Sequence, residues 1–290
     1  GIAGVSTLAQ LNTAYNNAIA NPDLTTAVND NAVGTAGDDT IIALQTGTAT
    51  ETFSGTDAID GGAGTDTLVI TNTEANALNT AAVTNVEVIT YTATGAGGDI
   101  DLADFSSVAT LNLARVGAAI NVDGVALTDT LNVTGTLAAG DITVSHASVT
   151  GTADSATVTV NGTVAASTLT FDTDVETMNI VSSGDASSMV LGLDAQTTTL
   201  NITANADLTT TGFTGAGVTS ATITGASDVD LAAFAAATVT IDASAATGDI
   251  TVTAGAVVDS GAATDVADIT VTGGTGDDTI SVAAVIGDIS

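Results

Sequence analysis

From Thr67 onward the chain repeats one short unit: a threonine or similar small polar residue, an apolar residue, any residue, an apolar residue, and a threonine again. It recurs as "TLVIT", "VEVITYT", "ATLNLA", "DTLNVTG", "DITVS", "ATVTVNG", "STLTFD", "VETMNIV", "TTLNITA", "ATVTID", "DITVTA" and "DITVTGG". Apolar residues at every second position form one face of a strand. The units lie about ten or eleven residues apart, or about twice that, with Gly, Asp, Asn, Ser and Ala between them. So short a unit cannot bury its apolar face alone; it must stack on copies of itself. Evenly spaced short strands suit a sandwich or a solenoid. The chain has no Trp and only 2% aromatic residues to fill a thick sandwich core. Self-similarity and a thin β-branched interior therefore favour a right-handed parallel β-solenoid. A single proline leaves the hydrogen-bond ladder free to run along most of the chain.

The start of the chain has a different period. In "STLAQLNTAYNNAIANPDL", Leu8, Leu11, Tyr15 and Ile19 fall at helical spacing behind a Ser6/Thr7 cap, and Asn21-Pro22 provides the stop. One short N-terminal helix is expected there. No apolar run approaches the ~20 residues of a membrane-spanning helix and no signal peptide is visible. The chain opens on Gly1 and ends within a strand-like pattern, as a piece of a longer polypeptide would.

Thirty-three acidic residues face one basic residue, for a net charge of −32. A nucleic-acid backbone is excluded as partner and anionic membrane surfaces are disfavoured, because both are held by Lys and Arg. Disordered acidic chains are poor in apolar residues, whereas this one is 44% hydrophobic and folds. Divalent cations are the natural counter-charge. The absence of cysteine rules out disulfides and thiolate metal sites, and fits a secreted bacterial protein that leaves the cell unfolded.

Aligned in nines, "GGAGTDTLV" (residues 61–69) reads Gly-Gly-x-Gly-x-Asp-x-apolar-x, with Gly61, Gly62, Gly64 and Asp66 at the defined positions. The preceding nine residues keep Gly55, Asp57 and Ile59 in register. "GTAGDDTII" (residues 34–42) keeps Gly34, Gly37, Asp39 and Ile41, while the nine between have Thr48 in place of the aspartate. A second full match, "GGTGDDTIS", carries Gly273, Gly274, Gly276 and Asp278, with no matching nonapeptide directly beside it. Glycines permit tight turns with exposed carbonyls, and the aspartate adds a charged oxygen. Calcium takes six to eight oxygen ligands, which two stacked turns can supply together.

These nonapeptides resemble the RTX family. In addition, "TNVEVITYT" and "TDVETMNIV", with Glu87 and Glu176 in equivalent places, look like RTX-type bacterial surface-layer proteins. The resemblance implies type I secretion, folding outside the cell on meeting calcium, and assembly of copies on the bacterial cell surface. It implies calcium ligation by Asp39, Asp57 and Asp66, and by Asp278 in the second cluster.

The expected organisation is a helical lead-in over 1–33, an RTX-like roll over 34–70, a Thr/Ala-rich solenoid over 71–272, and a second RTX-like region beginning at 273–290. The expected partners are calcium ions, copies of the chain, and a cell-surface glycan held through a region outside this piece. His146, the one histidine, lacks a nucleophile and an orienting acid, and Arg115 is the one basic residue. Glu87 and Glu176 stand too many coils apart for the roughly 5–9.5 Å of a glycosidase carboxylate pair; turn capping or calcium ligation suits them better. No catalytic constellation is present. Two further readings stay open: the stalk of an RTX adhesin, and an ice-binding solenoid with threonines aligned on a flat face.

Overall fold

The computed structural model describes residues 24–27, 29–94, 98–117, 119–135, 141–162, 168–171, 174–214, 217–234, 239–254, 257–258, 269–282 and 285–286. The helix expected before Pro22 lies outside them. Among the described residues the strands form an eleven-stranded sheet and a nine-stranded sheet, here the broad sheet and the second sheet. A three-stranded sheet of Asn31–Val33, Ala58–Asp60 and Ala82–Thr84 and a two-stranded sheet complete the set. Every pairing in the broad and second sheets is parallel, between strands one coil apart. The chain is a parallel β-solenoid.

The alternation read from sequence maps directly onto burial. In Thr199–Ala204 the side chains of Leu200, Ile202 and Ala204 point inward while Thr199, Asn201 and Thr203 point out. Inward Val, Ile and Leu from both large sheets join one core cluster. Each fully buried Leu or Ile contributes about 1.5–3 kcal/mol, so a narrow core is offset by its length. His146 belongs to that core, with its ring stacked on Phe171 at a centroid distance of 6.1 Å.

Coil length varies. Thr110 pairs with Thr130 and Thr199 with Ser220, 20 and 21 residues on. Thr40 instead pairs with Thr67, and Leu131 with Val158, 27 residues on. The longer first coil holds three nonapeptides, so residues 34–42 stack on 61–69 and residues 25–33 on 52–60. This corrects the spacing expected from sequence. Asp57 and Asp66, nine residues apart, stand in different columns, and Asp39 stacks with Asp66 rather than Asp57.

Turns follow from the same layout. The turns at 34–39 and 61–66 lead from the three-stranded sheet into the broad sheet, at the edge where the broad strands begin. The turn at 273–278 leads from the broad strand Ile269–Thr272 to Thr279–Val282 of the second sheet, at the opposite edge. Among the described residues, the outward side chains of the broad sheet from Thr67–Asn72 through Ser220–Gly225 are Thr, Ser, Asn, Val and Ala, with no carboxylate. Asn132 Nδ2 donates to Asn112 Oδ1 at 2.8 Å, and Asn201 Nδ2 to Asn179 Oδ1 at 2.9 Å.

Candidate metal centre

Among the described residues the buried carboxylates are Asp39, Asp57 and Asp66, each at most 2% exposed. Burying an ionised carboxylate is costly unless hydrogen bonds or a cation compensate it, so the partners of each one matter.

Asp39 is satisfied from within its own turn: the N–H and hydroxyl of Thr35 both donate to Oδ2. Asp57 is served likewise by the Ser54 N–H (2.6 Å) and hydroxyl (2.9 Å), and its Oδ1 also accepts the Asp30 N–H from the preceding coil at 3.0 Å. Asp66 differs. Its Oδ1 accepts the Asp39 N–H at 2.7 Å, but its Oδ2 is buried with no hydrogen-bond partner. The cause lies in the repeat. Gly62 stands where Thr35 stands in the earlier turn, has no hydroxyl, and sends its N–H to Asp60 Oδ1 at 3.1 Å. The one N-terminal turn matching every defined position is therefore the one that leaves its carboxylate oxygen open.

The glycines bring stacked backbones together. Gly62 has φ +99°, and a β-carbon there would overlap the Thr35 carbonyl oxygen; Gly64 has φ +131°, and its β-carbon would lie 2.9 Å from the Gly37 carbonyl oxygen. A β-carbon on Gly61 would collide with the Asn85 carbonyl and approach Asp66 Oδ2 to 2.7 Å. The Asn85 carbonyl and the open oxygen of Asp66 thus share one side of Gly61. Gly55 has nothing within 4 Å of a β-carbon and caps an open turn. Burial, foremost, raises the Asp66 carboxyl above its usual range; the Asp39 N–H opposes this, while the charges of Asp39, Glu87 and Asp38 reinforce it. A buried carboxylate with one open oxygen beside a backbone carbonyl is the donor chemistry of a hard divalent cation. The residues fit such an ion.

The second cluster has a neighbour that sequence does not reveal. Asp249 Oδ1 accepts the Asp277 N–H at 2.7 Å, and Asp278 Oδ1 accepts the Ile250 N–H at 3.1 Å. Gly274 and Gly276 approach the carbonyls of Ala246 and Gly248, and Gly273 lies against Asp278 Oδ2. Unlike Asp66, Asp278 is only half-buried. The column continues back through Asp228 and Asp207, whose Oδ1 atoms accept the N–H groups of Asp249 (2.8 Å) and Asp228 (3.2 Å). Beside it lies a cavity of about 350 Å³ lined by Asp207, Asp228, Asp230 and Asp249. The available signal was a lone Asp before an apolar residue in "NADL", "ASDV" and "TGDI", once per coil.

A family model for the RTX calcium-binding nonapeptide repeat matches residues 25–45, 52–68 and 270–283, in four copies. These are RTX repeats. Such repeats bind calcium, so calcium is the ion this chemistry serves. The match begins at 25, which brings in Asp30, an aspartate in the nine-residue register whose repeat lacks glycines. No curated protein and no solved structure is significantly similar to the chain.

Proposed function

We propose that the chain is a structural protein of the bacterial cell exterior, a solenoid stapled by calcium that associates with copies of itself into a surface layer or fibre. Calcium ligation falls to Asp39, Asp57 and Asp66 with carbonyls of the Gly37, Gly55, Gly61, Gly62 and Gly64 turns. Asp278 serves the second cluster, with carbonyls of the Gly273, Gly274 and Gly276 turn. The observation that carries this reading is the open Oδ2 of Asp66, an uncompensated carboxylate oxygen in a side chain 1% exposed. Bound calcium neutralises the carboxylates and joins successive turns. RTX proteins are typically secreted, which agrees with an extracellular setting where calcium is abundant.

Charge placement supports association. At net charge −32, copies repel over about 8 Å at physiological salt. The outward face of the broad sheet, free of carboxylates from Thr67 to Gly225, is where that repulsion is weakest. The test is light scattering followed by electron microscopy in calcium, in chelator, and in sodium chloride of equal ionic strength. Sheets or fibres in calcium alone are expected, since screening provides no bridging ligand. A calcium-loaded monomer at high concentration would overturn assembly and favour the adhesin stalk.

A further inference from the structure

We propose that Glu87 is the third carboxylate of the Asp39–Asp66 calcium site, closing it from the coil that follows the last N-terminal repeat. The inference rests on the calcium reading above and adds a residue outside the nonapeptides.

Glu87 continues the aspartate column. Thr40 pairs with Thr67 and Thr67 with Val88, so Asp39, Asp66 and Glu87 each stand one residue before equivalent broad-sheet strands. The bonds match as well. Glu87 Oε2 accepts the Asp66 N–H at 2.8 Å, as Asp66 Oδ1 accepts the Asp39 N–H at 2.7 Å. Here the connection is shorter: residues 85–87 join Thr84 to Val88, where residues 61–66 join Asp60 to Thr67. Glutamate's extra methylene extends its carboxylate from this tighter turn.

The same turn offers the Asn85 carbonyl, which crowds the Gly61 α-carbon alongside Asp66 Oδ2. The following coil therefore sets a carbonyl beside the buried oxygen that lacks a partner and a carboxylate on the backbone N–H of the same residue. The strand register sets the one basic residue of the chain well along the ladder from Glu87. Arg115 is paired through its backbone with Thr92, four residues beyond Val88. At about 3.3 Å per residue that is roughly 13 Å along the strand. A divalent cation is the counter-charge that suits carboxylate and carbonyl oxygens together.

Glu176 provides the comparison. It makes the same bond, its Oε2 accepting the Asp154 N–H at 2.8 Å. Asp154, however, is half-buried, and its Oδ2 is taken by the Gly151 N–H at 2.9 Å. Both Val-Glu units also receive a hydroxyl from the next coil, Ser107 Oγ donating to the Val86 carbonyl and Thr197 Oγ1 to the Val175 carbonyl. Glu176 thus performs the backbone clamp alone, while Glu87 performs it next to an open carboxylate.

The experiment is isothermal titration of the full chain with calcium chloride, comparing wild type, Asp66→Asn, Glu87→Gln and Glu176→Gln. Glutamine keeps an oxygen to accept the amide and removes only the charge. Asp66→Asn should abolish the tightest binding event, Glu87→Gln should weaken it about tenfold or more, and Glu176→Gln should leave it unchanged. A parallel measurement is the rise in urea midpoint on adding calcium, which binding to the folded state produces. It should shrink in Asp66→Asn and in Glu87→Gln and stay at the wild-type value in Glu176→Gln. If Glu87→Gln matches wild type while Asp66→Asn loses the event, the Glu87 inference is overturned and the site stands. If wild type shows no saturable binding, or Asp66→Asn keeps the event, the calcium assignment at Asp66 fails first.

Discussion

The backbone N–H of Asp39 donates to Oδ1 of Asp66 at 2.7 Å across 27 residues of sequence. This bond joins two RTX turns through a side chain whose other oxygen is left open, so the calcium ligation proposed for Asp66 would couple ion binding to the fold of the first coils.

Removing calcium should therefore loosen the beginning of the solenoid more than its middle. Hydrogen exchange with and without chelator should show faster exchange of the Asp39, Asp66 and Thr67 amides without calcium. The amides of Ile202 and Ile223, in coils held by apolar packing, should change little. Equal acceleration at both places would contradict the coupling.

The raised carboxyl of Asp66 sets a pH dependence. Burial favours its protonated form in the calcium-free fold. That contribution to stability is full below the usual value of 3.8 and is lost as pH rises through the raised value. Calcium needs the ionised form, so calcium affinity should fall as pH is lowered through the same window. Calcium titrations from about pH 7 down to about pH 4 should show this fall, and Asp66→Asn should flatten it.

Two glycines of the repeats should respond oppositely to alanine. At Gly62, with φ +99° and the Thr35 carbonyl in the way, alanine should cost about 2 kcal/mol or more. At Gly55, where the space is open, the change should stay within about 0.5 kcal/mol. Urea unfolding in saturating calcium measures both.

Tyr91→Phe should destabilise the third coil by about 1–3 kcal/mol. The buried phenol donates to the Gly98 carbonyl at 2.6 Å and accepts from Asn72 Nδ2 at 3.1 Å. Burial first, and the Asp99 charge as well, push its ionisation up to about 12 against the Asn72 hydrogen bond. The contribution of the neutral phenol should be full below the usual value of 10.0 and be lost as pH rises through the raised value. Absorbance during alkaline titration should show this late ionisation, and Tyr91→Phe should remove it.

The solenoid was readable because its alternation is strict: every second residue of "TLNIT" is apolar, and the apolar ones are those that are buried. That Asp39, Asp57 and Asp66 hold one position of a repeat was readable because the nonapeptide fixes their register. Which of them stack together was not, because residues 43–51 lack the aspartate that would have marked the third nonapeptide of the coil. Asp30 escaped because its repeat has no glycines, and Asp207, Asp228 and Asp249 because a single aspartate in a short turn looks ordinary. Glu87 was visible as part of a motif, but its proximity to Asp66 depends on coil length, which residue types do not encode.

Coils of 20 and of 27 residues hold the same strand register, so the perimeter is set at the corners and the ladder is indifferent to it. The corner at residues 46–50, where the hydroxyls of Thr46, Thr48 and Thr50 meet one another, is exposed from residue 47 on and carries slack of this kind. A foreign peptide grafted between Ala49 and Thr50 would lengthen one corner without displacing any strand downstream. If copies tile a surface, that corner is a place to display a densely spaced array of guest epitopes.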